Sequence, residues 1–208
     1  SERSKKMKKQ NGFTLVEISI VLVIIGLLIG GILKGQEMIQ NAKYKNFVQQ
    51  IDSYRAAVYA FQDRYKALPG DFNKATTSFQ APTGVTVRNG NGDGTVSGGW
   101  CDRNTEESCL VWQHLMLAGM IGGDVSAQGK ALRRQHPYGG LIDAISTGNW
   151  ANGRNELKIL MRSLPGDIAQ RMDDELDDGN ATSGDMARYG GSGSSYDKNQ
   201  RLDVFITL

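Results

Sequence analysis

An uninterrupted apolar segment near the N-terminus most constrains how this chain can fold. It runs from Phe13 to Leu33, 21 residues that contain a single charged side chain, the carboxylate of Glu17. Because a helix rises about 1.5 Å per residue, the segment would be about 31 Å long as a helix, enough to cross the core of a bilayer. The sequence therefore predicts one membrane-spanning helix, and the acid inside it requires an explanation.

A short basic leader, residues 1–12, precedes this segment. The leader has a net charge of +4 within a chain of formal net charge +2, which leaves −2 for all remaining residues. Basic residues that flank a spanning helix stay on the cytoplasmic side, so we expect the body after Leu33 to lie outside the cytoplasm. The charge of the body gives no reason to expect nucleic acid as a partner.

Cys101 and Cys109 are the two cysteines of the chain. An oxidising compartment would permit a disulfide bond between them, and closing such a short loop would contribute roughly 2–3 kcal/mol. Two unpaired thiols are the alternative. A metal site is disfavoured because neither His114 nor His136 lies at the spacing of a zinc finger.

Two ordinary interpretations of the N-terminus leave features unexplained. A secretory signal peptide has a shorter apolar region that ends in a small-residue cleavage site, whereas here the small residue, Gly12, precedes the apolar segment. A plain membrane anchor accounts for the length and the basic flank. It does not account for Glu17, whose carboxylate would cost about 1 kcal/mol near the interface and up to about 3 kcal/mol at the bilayer centre.

The residues around Gly12 resemble a known leader. Lys8-Lys9-Gln10-Asn11-Gly12 followed by Phe13-Thr14-Leu15-Val16-Glu17 is similar to the class III leader and N-terminal helix of type IV prepilins and type II secretion pseudopilins. The resemblance implies that a prepilin peptidase cleaves between Gly12 and Phe13, and that Phe13 is then N-methylated. It also implies that the subunit leaves the membrane lipid, through an inner-membrane assembly platform, to join other pilin or pseudopilin subunits in a filament.

Cleavage would also explain Glu17. The cut creates an ammonium group on Phe13, and four residues are about one helical turn, so this cation can approach Glu17 of its own or a neighbouring helix. Methylation keeps the charge. In a low-dielectric bundle of helices the two charges are tolerated as a pair, which makes Glu17 the candidate for an assembly ion pair. A stray acid near a lipid interface is the alternative.

Beyond the apolar segment the helix pattern becomes amphipathic. Ile51, Tyr54, Val58, Phe61 and Tyr65 recur at intervals of three and four, which predicts one buried stripe on a helix that extends to Lys66. Four glycines upstream predict bending, local unwinding or close helix packing: Gly26, Gly30, Gly31 and Gly35. We therefore divide the chain into a leader (1–12), a transmembrane or filament-core helix (13–35) and a head (36–208).

The pattern of the head predicts an α+β, pilin-like fold, with the long helix packed on a small antiparallel sheet. One helix is expected from an Asn104 cap to Ala118, ended by Gly119. Another is expected from a capping box at Asp167 and Gln170. Strand patterns fall within residues 139–163 and at 202–208, which suggests three or four strands.

Two acidic segments of the head are candidate calcium ligands. Asn91 and Asp93 lie in a glycine-rich string that resembles the start of a calcium loop, although a tight Gly/Asn turn explains the same residues. Asp177 and Asp178 belong to a run of five acids at the end of a short helix, where the helix dipole disfavours negative charge. A bound cation, arginine partners such as Arg171 and Arg188, or simple solvation could each account for that run.

These observations favour a structural subunit of a type IV pilus or a type II secretion pseudopilus. The alternative is a minor pilin at a filament tip that binds DNA, a surface or a secreted substrate, for which a small basic cluster would serve: Lys130, Arg133, Arg134 and His136. An enzyme is not expected, because the sequence has no nucleophile elbow, phosphate loop or histidine-rich metal motif. The expected location is a single pass of the inner membrane, with the leader in the cytoplasm and the head outside it, and then the filament.

Overall fold

The structure is a computed structural model that describes residues 12–150, 152–191 and 193–208. Of the predicted leader, Gly12 is described and the rest lies outside the described residues. The chain divides into two compact units between Tyr44 and Lys45. This division falls within the long helix rather than at the predicted domain boundary after residue 35, which remains a prediction based on composition.

Helix α1, Leu15–Tyr65, is the longest element. It confirms the predicted helix to within one residue at its C-terminal end, where Lys66 adopts a φ of 54° and turns the chain toward Pro69. The helix continues through all four glycines between Gly26 and Gly35. The local unwinding expected at these glycines is therefore not seen in the single chain.

Among the described residues, the second unit contains three further α-helices, one short 3-10 helix (Gly129–Leu132) and one sheet. The helices are α2 (Ala75–Ser78), α3 (Glu107–Leu117) and α4 (Gly166–Leu176), and the strands are β1 (Arg134–Gln135), β2 (Leu141–Gly148), β3 (Glu156–Pro165), β4 (Met186–Arg188) and β5 (Arg201–Thr207). Every neighbouring pair is antiparallel, in the order β1-β2-β3-β5-β4. The α+β class is confirmed. Within the described residues the sheet has five strands rather than the predicted three or four. The sequence did not reveal β1 and β4, because both are too short to show an alternating pattern.

The second half of α1 packs on one face of this sheet. Ile51, Tyr54, Val58 and Phe61 are buried and Tyr65 is partly buried, which confirms the predicted stripe. Two polar contacts fix the packing: Gln50 donates to the Gln135 carbonyl of β1 at 3.0 Å, and an Arg55 guanidinium nitrogen donates to the Thr207 carbonyl of β5 at 3.2 Å. The helix therefore crosses the sheet from the edge strand β1 to β5.

We call the opposite face of the sheet the outer face, and it has its own smaller core. Leu160 of β3, Phe205 of β5 and Ala187 of β4 lie side by side in the register and form a buried cluster. Trp100 and Trp150, both partly buried, pack against this cluster. Because side chains alternate along a strand, these residues point away from the face that α1 covers.

Both predicted helix caps are wrong, although both helices exist. Helix α3 begins at Glu107 rather than after Asn104, whose side-chain amide donates to Gln128 instead. Helix α4 begins at Gly166, and Pro165 holds the cap position without a side-chain hydrogen bond. Gly119, with a φ of 70°, follows the end of α3 as predicted.

Candidate functional site

The predicted cleavage site lies just outside α1. Gly12, Phe13 and Thr14 precede the first helical residue and are exposed, and the Phe13 side chain is 83% exposed. A peptidase needs an accessible bond in non-helical backbone, and the Gly12–Phe13 bond meets both conditions. The identity of the cleaved bond itself remains a prediction.

Glu17 is held at the start of α1 by Thr14. The Glu17 carboxylate accepts hydrogen bonds from the Thr14 N–H at 2.8 Å and from the Thr14 hydroxyl at 2.9 Å, and the Glu17 N–H donates to the Thr14 hydroxyl oxygen at 3.3 Å. This arrangement is a capping box. The Thr-x-x-Glu spacing of Thr14 and Glu17 indicates this cap in the sequence, where Glu17 otherwise stands out only as a charge in an apolar helix. Before cleavage, the acid is therefore already held within one turn of Phe13.

No part of the described chain covers the apolar segment. Its large hydrophobic side chains, from Phe13 to Leu33, are all between 45% and 84% exposed. Within the described residues, α1 is the one helix that is long and apolar enough to cross a membrane, with a mean hydropathy of 2.7 over its most apolar window. This segment therefore requires cover from lipid or from other molecules.

In the second unit, buried carboxylates hold the glycine-rich loop. Asp71, 4% exposed, accepts hydrogen bonds from the N–H groups of Gly92, Asp93 and Gly94 at 2.7 to 2.9 Å. Glu107, at the start of α3, accepts from the N–H groups of Asn91 and Ser97, both at 2.8 Å. The loop thus directs its backbone donors at two anions and ties the end of α1 to α3.

The side chains of Asn91 and Asp93 are engaged with their own turn. The Asn91 amide donates to one Asp93 carboxylate oxygen at 3.0 Å, and the other accepts from the Thr95 N–H and hydroxyl at 2.8 and 2.7 Å. These bonds lower the pKa of Asp93. The turn accounts for both residues, and calcium at this loop stays a prediction.

The acidic end of α4 brings three carboxylates together. Asp173, Asp177 and Asp178 have ligand atoms within 4.8 Å of one another. Each also accepts hydrogen bonds: Asp173 from Tyr196 O–H and Gly179 N–H, Asp177 from Met186 N–H, and Asp178 from Asn180 N–H and the Ser183 hydroxyl. Burial raises the pKa of Asp173, whereas the Ser183 hydroxyl and the Asn180 N–H lower that of Asp178.

These bonds give the acidic run a structural role that the sequence did not suggest. The bond from Met186 to Asp177 satisfies a donor of the edge strand β4, and the bonds to Asp173 anchor the turn that follows α4. Arg171 pairs with Glu175 at 2.8 Å, so one of the predicted arginine partners is confirmed. Calcium at Asp177 and Asp178 stays a prediction, and Asp173 would supply a third ligand.

Cys101 and Cys109 form the predicted disulfide bond, with their Cα atoms 4.6 Å apart. Cys109 lies in the first turn of α3, so the bond fixes the segment before α3 to the helix itself. Trp100, which contacts the outer face of the sheet, is the residue next to this bond.

His114 is a buried residue of the head, and both of its ring nitrogens are hydrogen-bonded. Its Nδ1 atom accepts a hydrogen bond from the Gly70 N–H at 2.9 Å, so Nε2 carries the proton that is donated to the Arg88 carbonyl at 2.8 Å. Burial lowers the pKa of His114 to about 4. The neutral ring thus links the turn after α1 to the glycine-rich loop.

The residues of the predicted basic cluster do not act as one patch, because two of them share an acidic partner and the other two have different contacts. Arg133 is 10% exposed and pairs with Asp102 at 2.7 Å and with Asp143, and Lys130 reaches Asp102 at 3.4 Å. Arg134 donates to the Gly122 carbonyl at 2.8 Å, and His136 is buried. The Arg133 charge is therefore neutralised within the head, whereas the Lys130 side chain remains 69% exposed.

The calcium hypothesis predicts a calcium-dependent gain in stability. If Asp173, Asp177 and Asp178 hold the ion, millimolar calcium should raise the melting temperature of the full chain, because a ligand that binds only the folded state stabilises it. Asp178→Asn should abolish the increase, and Asp174→Asn, an exposed acid outside the group, should preserve it. An unchanged melting temperature in the wild type would leave the three acids as turn residues only.

The environment of His114 predicts a loss of stability in mild acid. A folded-state pKa of about 4 lies below the usual 6.5, so the stability present above pH 6.5 is lost as the pH falls toward 4, by about 3 kcal/mol in total. His114→Gln can still accept a hydrogen bond from Gly70 and donate one to Arg88. Between pH 7 and pH 4 its free energy of unfolding should fall by about 3 kcal/mol less than that of the wild type. Denaturant unfolding monitored at the buried Trp112 measures the difference, and identical pH dependence in both proteins would refute the assignment.

The comparisons with known proteins agree with the N-terminal geometry. The prokaryotic N-terminal methylation motif matches residues 7–33, which include Gly12, Phe13 and Glu17. Neither the curated proteins nor the solved structures gave a match to the chain. The motif, at the start of an uncovered apolar helix with an α+β head behind it, supports a type IV pilin-like prepilin with a class III leader.

Proposed function

We propose that this protein is a structural subunit of a type IV pilus or a type II secretion pseudopilus. A prepilin peptidase would cleave the Gly12–Phe13 bond and methylate Phe13, and the mature subunit would assemble through the apolar half of α1. The observation that carries the proposal is an apolar helix that the described chain leaves uncovered, with a single acid held at its first turn.

The uncovered helix supplies the driving force for assembly. Each Leu, Ile or Val side chain of the segment would gain about 1.5–3 kcal/mol on transfer from water. Membrane lipid provides such cover before assembly, and the apolar helices of neighbouring subunits provide it in a filament. The glycines of the segment have no close packing partner within this chain, because a Cβ at any of them would meet no other atom within 4 Å. Small residues allow neighbouring helices to approach closely, so the glycines favour the filament arrangement.

Glu17 supplies the register. In the precursor its carboxylate is satisfied by the Thr14 N–H and hydroxyl. Cleavage leaves an ammonium on Phe13, next to Thr14, and Glu17 can then accept from that cation on its own or a neighbouring helix. A subunit whose Glu17 is out of register with its neighbours would leave a charge unpaired in an apolar bundle, which is strongly unfavourable.

The same proposal sets the orientation. The basic leader would remain in the cytoplasm, and the head would lie outside it, where an oxidising environment supports the Cys101–Cys109 bond. The chemistry on this chain would be done by the prepilin peptidase, and an inner-membrane assembly platform would extract the processed subunit. The alternative role, a minor pilin at a filament tip that binds a surface, DNA or a secreted substrate, would use the same N-terminus with a different head partner.

Replacing Glu17 tests the proposal. Glu17→Ala should still be cleaved by the prepilin peptidase, but the amount of subunit in sheared filaments should fall at least about tenfold, which corresponds to 1.4 kcal/mol of lost assembly energy. Glu37→Ala is the matched control, because Glu37 is an exposed acid of the same helix that pairs with Lys34 at 2.9 Å. Cleavage and assembly are measured separately, by the shift in subunit mass and by filament yield. A Glu17→Ala subunit that assembles as well as wild type would contradict the proposal.

A further inference from the structure

The outer face of the sheet contains a recess lined by aromatic side chains. Its lining is Gly99, Trp100, Trp150, Leu160 and Tyr189, and it has a volume of about 250 Å³ including its open mouth. Leu160 is buried at its base, the two indoles are partly buried, and Tyr189 is 40% exposed. The proposed assembly through α1 uses none of these residues.

Buried contacts hold the first side of the recess in place. The rings of Trp100 and Tyr189 meet edge to face, with centroids 5.1 Å apart. The Trp100 carbonyl accepts a hydrogen bond from Arg133 at 2.8 Å, and the adjacent Cys101 is fixed by the disulfide bond. The N–H of Tyr189 donates to the Asp203 carbonyl of β5 at 2.7 Å.

A buried ammonium positions the second side. Lys158 has no exposed surface, and its side-chain nitrogen donates to the carbonyls of Gly148 and Arg154, at the two ends of the turn that carries Trp150. A Cβ at Gly148 would come within 2.6 Å of the Trp150 ring, so this glycine allows the indole to fold back over the sheet. The recess is thus formed before any ligand arrives, which lowers the ordering cost of binding.

The chemistry of the recess selects one class of ligand. Aromatic faces attract cations and polarised C–H groups. A cation is disfavoured, because the Arg162 guanidinium already lies over the Trp100 ring at 4.8 Å. A wholly apolar group is disfavoured as well, since it would strip water from Arg162 and from Asp203, which lie 3.6 Å apart and are 39% and 30% exposed. A neutral ring with C–H faces and a hydroxyl-bearing edge satisfies both conditions.

We propose that this recess binds a pyranose ring of a carbohydrate. The C–H face of the sugar would stack on the Trp150 indole and the Tyr189 ring, and its hydroxyl groups would hydrogen-bond to Arg162 and Asp203. β-Linked glucose units suit the recess, because their equatorial hydroxyls leave both ring faces lined with C–H groups. This activity goes beyond assembly and does not depend on cleavage at Gly12.

Tryptophan fluorescence reports directly on this site. Two of the three tryptophans lie at the recess, and the third, Trp112, is fully buried and gives a constant background. The full chain, in a detergent without a sugar headgroup, is titrated with cellotriose. We expect a saturable blue shift with a dissociation constant of about 1 mM, typical of a small, partly open site.

Four variants make the result specific. Trp150→Ala and Tyr189→Ala should weaken binding at least about tenfold, and Tyr59→Ala, an exposed aromatic on α1, should leave it unchanged. Gly148→Ala should also weaken binding by displacing the indole, which covers the case in which Trp150→Ala fails to fold. Near-UV circular dichroism of Trp112 verifies the fold of each variant.

Several outcomes would overturn the proposal. They are the absence of any saturable change with cellotriose, a change that persists in both Trp150→Ala and Gly148→Ala, and tetramethylammonium binding as tightly as the sugar. Because the precursor and the processed subunit carry the same recess, these outcomes leave the assembly proposal intact, and a failure of Glu17 to direct assembly leaves the recess intact.

Discussion

The organisation of this protein depends on an apolar helix segment that the described chain does not cover. From Phe13 to Leu33 every large hydrophobic side chain is exposed, whereas the next part of the same helix, from Phe47 to Phe61, places its stripe in the core of the head. One helix therefore serves two environments in sequence. The first half requires lipid or other helices to cover it, and the second half packs on the sheet of the head.

Glu17 connects this helix to its processing. In the precursor the carboxylate caps α1 through Thr14, so the acid has partners before any cleavage occurs. The proposed cut before Phe13 would place a cation beside that cap, and the same carboxylate would acquire a stronger partner. The cap and the proposed ion pair would thus be successive uses of one side chain, and both would require it at the first turn.

The head is held by polar contacts as much as by its apolar core. Asp71, Glu107 and His114 are all buried, and each binds backbone groups of a loop that has no regular secondary structure of its own. Removing one of these side chains would leave buried donors without acceptors, at a cost of about 1–3 kcal/mol each. The glycine-rich loop resembles a cation site in sequence, but its backbone N–H groups bind the carboxylates of Asp71 and Glu107.

Periodicity made the long helix, its buried stripe and the main strands predictable from the sequence, because each depends on neighbours along the chain. The polar contacts were not predictable, because they join distant residues: Asp71 meets Gly92 to Gly94, and His114 meets Gly70 and Arg88. For the same reason the cap expected at Asn104 was wrong, since the choice of helix start depends on Glu107 binding Ser97 and Asn91. The acidic run appeared unbalanced because several of its partners are backbone N–H groups, which carry no sequence signal, and the Tyr196 hydroxyl that binds Asp173 lies 23 residues away.

We propose that cleavage between Gly12 and Phe13 creates the cationic partner of Glu17. Mass spectrometry of the N-terminal peptide, from subunits purified out of assembled filaments, tests this cleavage. We expect a peptide that begins at Phe13 and carries one added methyl group on its amine. Assembled subunits that retain the leader, or that begin at any other residue, would contradict it.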